Sequence, residues 1–94
     1  MNKLSVDDMV FECMANFSPW TFWGLQREIK NQWGRDFGET TISAAIRNLR
    51  KPKFRKKMGL PMDIQIVFTR RIPNRRGYEY RLNPMIGRPS SIND

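Results

Sequence analysis

Residues 40–51 read TTISAAIRNLRK, and residues 70–82 read RRIPNRRGYEYRL. The first stretch has a helical period. At ~100° per residue, Ile42, Ala45, Ile46 and Leu49 gather on one side, and Thr40, Ser43, Ala44, Arg47, Asn48 and Lys51 on the other. The second stretch ends on a period of two, with Tyr78, Tyr80 and Leu82 alternating with Glu79 and Arg81. A run with the same period precedes it: Ile64, Ile66 and Phe68 alternate with Gln65, Val67 and Thr69. Between the two runs, Pro73-Asn74-Arg75-Arg76-Gly77 has the chemistry of a hairpin turn longer than two residues. These stretches predict a short amphipathic helix over about 40–51, capped by Thr40 or Thr41 and halted by Pro52, and then a two-stranded antiparallel hairpin.

Upstream, Ser5 followed by Asp8 reads as a variant capping box, and Asp7 and Asp8 suit the positive end of a helix dipole. Val6, Met9, Val10, Cys13 and Phe17 then form one apolar stripe, which predicts a first helix over 6–16. Ser18-Pro19 interrupts it. Either Ser18 caps the next helix with Pro19 in its first turn, or Trp20-Thr21 is a short strand and Thr21 is the cap; we prefer the second. In both readings Phe22, Leu25, Ile29 and Trp33 share a face, and Gly34 stops a second helix over 22–33. Residues 53–62, KFRKKMGLPM, mix four basic with five apolar positions and receive no regular element. One domain over residues 1–86 and a frayed polar tail over 87–94 are expected.

A chain of 94 residues suffices for one core, burying roughly 60–65% of the unfolded surface. Its 39% hydrophobic and 12% aromatic content is too high for a disordered tail. The formal charge of +8 is unevenly spread. Residues 1–40 hold four basic and six acidic side chains, whereas residues 41–94 hold thirteen basic and three acidic ones. From Arg47 to Arg76 there are eleven basic residues and a single acid, Asp63. A field of one sign over one surface calls for a polyanionic partner.

Several classes of function are disfavoured. One cysteine and no histidine leave a structural zinc site without its three or four ligands. Cys13 falls on the apolar stripe, where it reads as a small buried hydrophobe, and it lacks a histidine base. Metal-dependent hydrolysis needs clustered carboxylates, but Asp36, Glu39, Asp63 and Glu79 are scattered over three elements. No enzyme activity, cofactor, metal or small-molecule substrate is therefore expected. No apolar run approaches the ~18–20 residues of a membrane span, and the N-terminus has no apolar signal region, so a soluble cytoplasmic protein is expected.

The stretch TTISAAIRNLRK followed by the RRIPNRRGYEYRL hairpin resembles a winged-helix DNA-binding domain, and more loosely the short winged-helix proteins of phages and prophages. The resemblance covers about residues 6–84. It implies an α+β fold with a three-helix helix-turn-helix core and a two-stranded hairpin wing, and double-stranded DNA as the partner of a regulator or accessory factor. The third helix would lie in the ~12 Å major groove, presenting Thr41, Ser43, Ala44, Arg47 and Asn48 to base edges. Arg70, Arg71, Arg75 and Arg76 would reach phosphates or an adjacent minor groove from the wing. The basic run supplies Arg50, Lys51, Lys53, Arg55, Lys56 and Lys57 as further nucleic-acid contacts. The segment 53–62 departs from the family pattern.

Each feature has a plainer alternative. The basic run and the turn arginines could be solvated surface, and Ser43 and Asn48 could merely tolerate solvent. Trp20 and Trp33 suit the core better than base stacking; Trp23 alone stays open to an exposed role. The competing functions are a module that docks an acidic protein and an RNA binder, the latter disfavoured because an A-form major groove excludes a helix. A homodimer is left open.

Overall fold

The structure, a computed structural model, describes residues 4–87. In chain order it has α1 (Val6–Met14), β1 (Trp20–Thr21), α2 (Phe22–Trp33), α3 (Glu39–Leu49), α4 (Pro52–Met58), β2 (Val67–Arg71), β3 (Tyr78–Leu82) and a 3-10 turn at Pro84–Gly87. The fold is α+β, with an antiparallel sheet of order β1-β3-β2. Of the expected tail, residues 88–94 lie outside the described residues. No helix among the described residues is long and apolar enough to cross a membrane.

The predicted capping box at the start of α1 is present in both directions. Ser5 Oγ accepts from the Asp8 backbone N–H at 3.2 Å, and the Ser5 N–H donates to Asp8 Oδ2 at 3.1 Å. α1 ends at Met14 rather than at residue 16, because the Ala15 and Phe17 N–H groups turn back to the carbonyls of Glu12 and Met14 in tighter three-residue bonds. Phe17 takes a φ of +61° and packs against the core from outside the helix. Thr21 caps α2 by accepting from the Gly24 N–H at 3.0 Å, and Gly34 ends it in the left-handed conformation that only glycine adopts without strain.

α3 begins one residue earlier than expected, with Gly38 at the N-cap instead of Thr40 or Thr41. Glycine is tolerated there, and Glu39 places a carboxylate at the positive end of the dipole, so neither threonine is needed as a cap. α3 ends at Leu49, before the expected residue 51. Pro52 keeps the preceding residue out of the helical region, and Lys51 is accordingly extended at ψ 149°.

Pro52 also begins a helix that periodicity had not revealed. It occupies the first turn of α4, where a missing N–H costs nothing, and Gly59 closes the helix at φ +69°. Among the described residues the core is therefore flanked by four α-helices, not three. Seven residues are too few to display a helical period, and Phe54 is the one buried side chain they contribute.

The expected two-stranded hairpin is part of a three-stranded sheet. Trp20 pairs with Tyr80 and Thr21 with Glu79, which adds β1 to the free side of β3. β2 and β3 pair in register from Val67↔Leu82 to Arg71↔Tyr78. β2 starts at Val67 rather than Ile64, and its inward phase is the reverse of the predicted one. Val67 and Leu82 are buried on the helix side, while Phe68 stands on the outer face under the Arg81 guanidinium, 5.8 Å from its ring centroid. The phase changes because Ile66 enters the core before the strand begins. Asn83 holds it there, its backbone N–H donating to the Ile66 carbonyl and its side-chain amide to the Gln65 carbonyl, both at 2.8 Å.

One core joins these layers. Val10 and Met14 of α1, Leu25 and Ile29 of α2, Ile42 and Leu49 of α3, and Ile66, Val67 and Leu82 near the sheet are fully buried. Truncating one of the leucines or isoleucines to alanine would cost about 2–5 kcal/mol. Burying Ile42, Ala45, Ile46 and Leu49 fixes the rotation of α3 and thereby decides which of its side chains face outward.

Candidate nucleic-acid interface

The outward side of α3 carries Thr40, Thr41 and Arg47 as exposed residues, with Ser43, Ala44 and Asn48 half-buried along its flanks. Arg47 has no side-chain partner among the described residues. Asn48 is less free than the sequence implied, since its Nδ2 donates to Asp7 Oδ1 of α1 at 3.4 Å. The face offers one guanidinium, short hydroxyls and one amide. These groups suit the edges of bases, and none is a strong acid.

Several of the predicted contact residues are engaged inside the fold. Arg50 donates through Nη2 to the Thr69 hydroxyl at 2.8 Å and to the Val67 carbonyl at 3.4 Å, tying the end of α3 to β2. Arg55 donates to the carbonyls of Arg50, Pro61 and Met62 at 2.8–3.3 Å, closing the segment that leads from α4 to the sheet. Lys57 pairs with Asp8 Oδ1 at 2.8 Å, across 49 residues of sequence. Arg70 pairs with Glu79 opposite it on β3. Local periodicity carries no signal for such long-range partners, so a basic residue that braces the fold reads the same as one that waits for a ligand.

The remaining cations form two groups. Arg47, Lys51, Lys53 and Lys56 are exposed on α3, its end and α4. Arg71, Arg75 and Arg76 are exposed at the far end of β2 and in the turn. None of these seven side chains has a partner among the described residues. The Arg50 link lies between the groups: it sets the last turn of α3 beside the sheet face on which Thr69, and two residues later Arg71, stand. Next to that link, burial raises the pKa of the Tyr80 phenol, Arg50 opposes the rise, and Tyr78 and Glu39 add to it.

The turn itself is built on backbone geometry. The Arg75 N–H reaches the Ile72 carbonyl at 3.4 Å around Pro73 and Asn74, and Asn74 has φ +62°. Proline followed by a residue with positive φ is the signature of a type II turn. The Ile72 N–H then closes onto the Gly77 carbonyl at 3.1 Å. The turn is backed by a side chain of α2: a Cβ placed on Gly77 would lie 3.4 Å from the Trp23 ring. Trp23 is 43% exposed, as the sequence suggested, but it also backs the hairpin, a role that the sequence reading missed.

Trp20 and Trp33 are half-buried against the core, and Cys13 lies within it. Burial, reinforced by Glu28 and Glu12, pushes the Cys13 thiol up to about 11, so it is a neutral packing group at physiological pH. In the first turn of α1, burial alone would raise the pKa of Asp8. The hydrogen bonds from Lys57 and Ser5 outweigh that effect and hold the carboxyl below its ordinary value. Comparison of the chain with protein-family models, with curated proteins and with solved structures found no match.

Proposed function

We propose that this chain is a winged-helix protein that binds duplex DNA as a sequence-reading regulator or accessory factor. The observation that carries this reading is the pair of unpartnered cation groups, on α3 with α4 and on the β2–β3 turn, braced to one another through Arg50 and Thr69. The order helix, short strand, three helices, strand, turn and strand, with sheet order β1-β3-β2, supports it. In this reading α3 enters the major groove, Arg47 reads a base edge, and Arg75 and Arg76 contact phosphate or the minor groove from the wing. Arg50, Arg55, Lys57 and Arg70 act by holding those elements in place.

Selection from a random duplex library at low and near-physiological salt tests both binding and specificity, because only base contacts survive as a consensus at the higher salt. An enriched motif is the expected result. On that motif Arg47→Ala should cost about 1–3 kcal/mol, and far less on random duplex. Equal losses on the two would make Arg47 a phosphate contact. A library with no enrichment at either salt would overturn the reading.

A further inference from the structure

The cleft beside α4 has no assigned role in the reading above. Between α1, α3 and α4 lies a cavity of about 410 Å³ lined by Asp7, Asn48, Lys51, Lys53, Phe54 and Lys57. Three ammonium groups border it against one carboxylate. The two nearby carboxylates, Asp7 in the lining and Asp8 behind the rim, offset part of that charge and leave Lys51 and Lys53 as its uncompensated source. Asp7 accepts from Asn48, and Asp8 is already occupied by Lys57 and the Ser5 backbone. Lys51 and Lys53 have no partner among the described residues and are exposed at the mouth.

The floor is rigid and apolar. Phe54 is 5% exposed, meets Phe11 edge to face at 5.4 Å, and lies under the Lys57 ammonium at 5.7 Å. Lys57 is thus held by a carboxylate on one side and a ring face on the other, which removes much of the entropy that a free lysine would lose on binding. An acceptor with several oxygens at the mouth would gain the Lys51, Lys53 and Lys57 ammonium protons and the second N–H of Asn48. A tetrahedral phosphate monoanion fits that donor set, since lysine binds phosphate as a mobile point charge and needs no planar fork.

We propose that this cleft is a phosphate site, and that its occupant is a backbone phosphate of the duplex that α3 reads. The choice of a DNA phosphate over a free one rests on the function proposed above and on continuity of surface. Asn48 lines the cleft and flanks the outward side of α3, and Lys51, also in the lining, follows the end of that helix, so the two surfaces are continuous. α4 then serves as a third point of attachment, and the segment 52–58 is the structural addition that creates it.

The test uses Lys53→Gln, which removes a cleft charge on α4 and leaves α3 untouched, with Arg27→Gln on the exposed side of α2 as a control of equal charge. Duplex affinity is measured across a salt series. Lys53→Gln should raise Kd about three- to tenfold and shrink the log–log salt slope by about 0.9, the value of one phosphate contact on duplex DNA. Arg27→Gln should change Kd less than twofold. Replacing single phosphates by methylphosphonates along the duplex should reveal one position where wild type loses the same factor and Lys53→Gln loses nothing further. If wild type binds with a steep slope but Lys53→Gln behaves like the control, the phosphate site is wrong and the DNA reading stands. If inorganic phosphate alone shifts the Asn48 side-chain amide signals by NMR and no methylphosphonate position matters, a DNA phosphate is not the occupant. If wild type binds no duplex, both proposals fall.

Discussion

The Arg50 guanidinium donates to the Thr69 hydroxyl at 2.8 Å, joining the last turn of α3 to the middle of β2. A hydrogen bond from a charged donor contributes about 1.5–3 kcal/mol when sheltered, and Thr69 is exposed, so about 1 kcal/mol is the appropriate scale. Arg50→Ala should therefore lower Tm by roughly 4–8 °C and weaken binding to preferred and random duplex alike, since it frees α3 from the sheet without removing a base contact. Thr69→Val should show part of the same effect, and a double-mutant cycle should give a coupling of about 0.5–1 kcal/mol. An unchanged melt with a large affinity loss would show that Arg50 contacts DNA instead of bracing the fold.

The β2–β3 turn separates stability from binding by residue. Arg75 and Arg76 are exposed and unpartnered, so replacing both with alanine should alter stability by less than about 0.5 kcal/mol while weakening duplex binding. Gly77 differs. Its φ of +106° strains any L side chain, and its added Cβ would touch the Trp23 ring. Gly77→Ala should cost about 1–3 kcal/mol and move the Trp23 fluorescence, as judged by thermal unfolding with emission as the second readout. Equal melting of wild type and Gly77→Ala would mean that the turn is not seated on Trp23.

Acid should remove one specific contribution. The folded pKa of Asp8 is depressed, so its stabilising effect is present above the unfolded carboxylate value and is lost as pH falls through the folded value. Asp8→Asn removes both the capping-box acceptor charge and the partner of Lys57, at a cost of about 0.5–2 kcal/mol. Wild type should exceed Asp8→Asn by a constant margin between pH 5 and 8, roughly, and the margin should narrow below about pH 4. Chemical denaturation at several pH values measures this, and a margin independent of pH would remove the role assigned to the charge.

Much of the fold was legible because local rules and tertiary packing agree. Ser5 with Asp8, Thr21 before α2, and Gly34 after it are short-range signals, and the structure uses each as written. The stripe Ile42, Ala45, Ile46 and Leu49 was legible for the same reason, as one helix face meeting one core. What failed was either too short or too distant. The short strand Trp20–Thr21 was read correctly, but its pairing with β3, which turns the hairpin into a three-stranded sheet, was not. In α4, Pro52 was read as a stop, yet the same residue suits a first turn, and seven residues hold no period to decide between them. The strand phase at 64–68 was misread because Ile66 is buried by a bond from Asn83, 17 residues away. At the candidate interface, charge located the basic surface but could not sort Arg47 from Arg50, since the difference lies in a hydroxyl on another element.

In the proposed function, the unpartnered cations of α3, α4 and the turn neutralise phosphates of duplex DNA. The most direct measurement is the dependence of duplex affinity on salt, taken from about 50 to 200 mM for wild type and for Arg75→Ala/Arg76→Ala. If about four to six phosphates are contacted, the wild-type log–log slope should be roughly −4 to −5, and the double variant should reduce its magnitude by about one to two. A wild-type slope near zero, or a variant indistinguishable from wild type in both affinity and slope, would contradict the account.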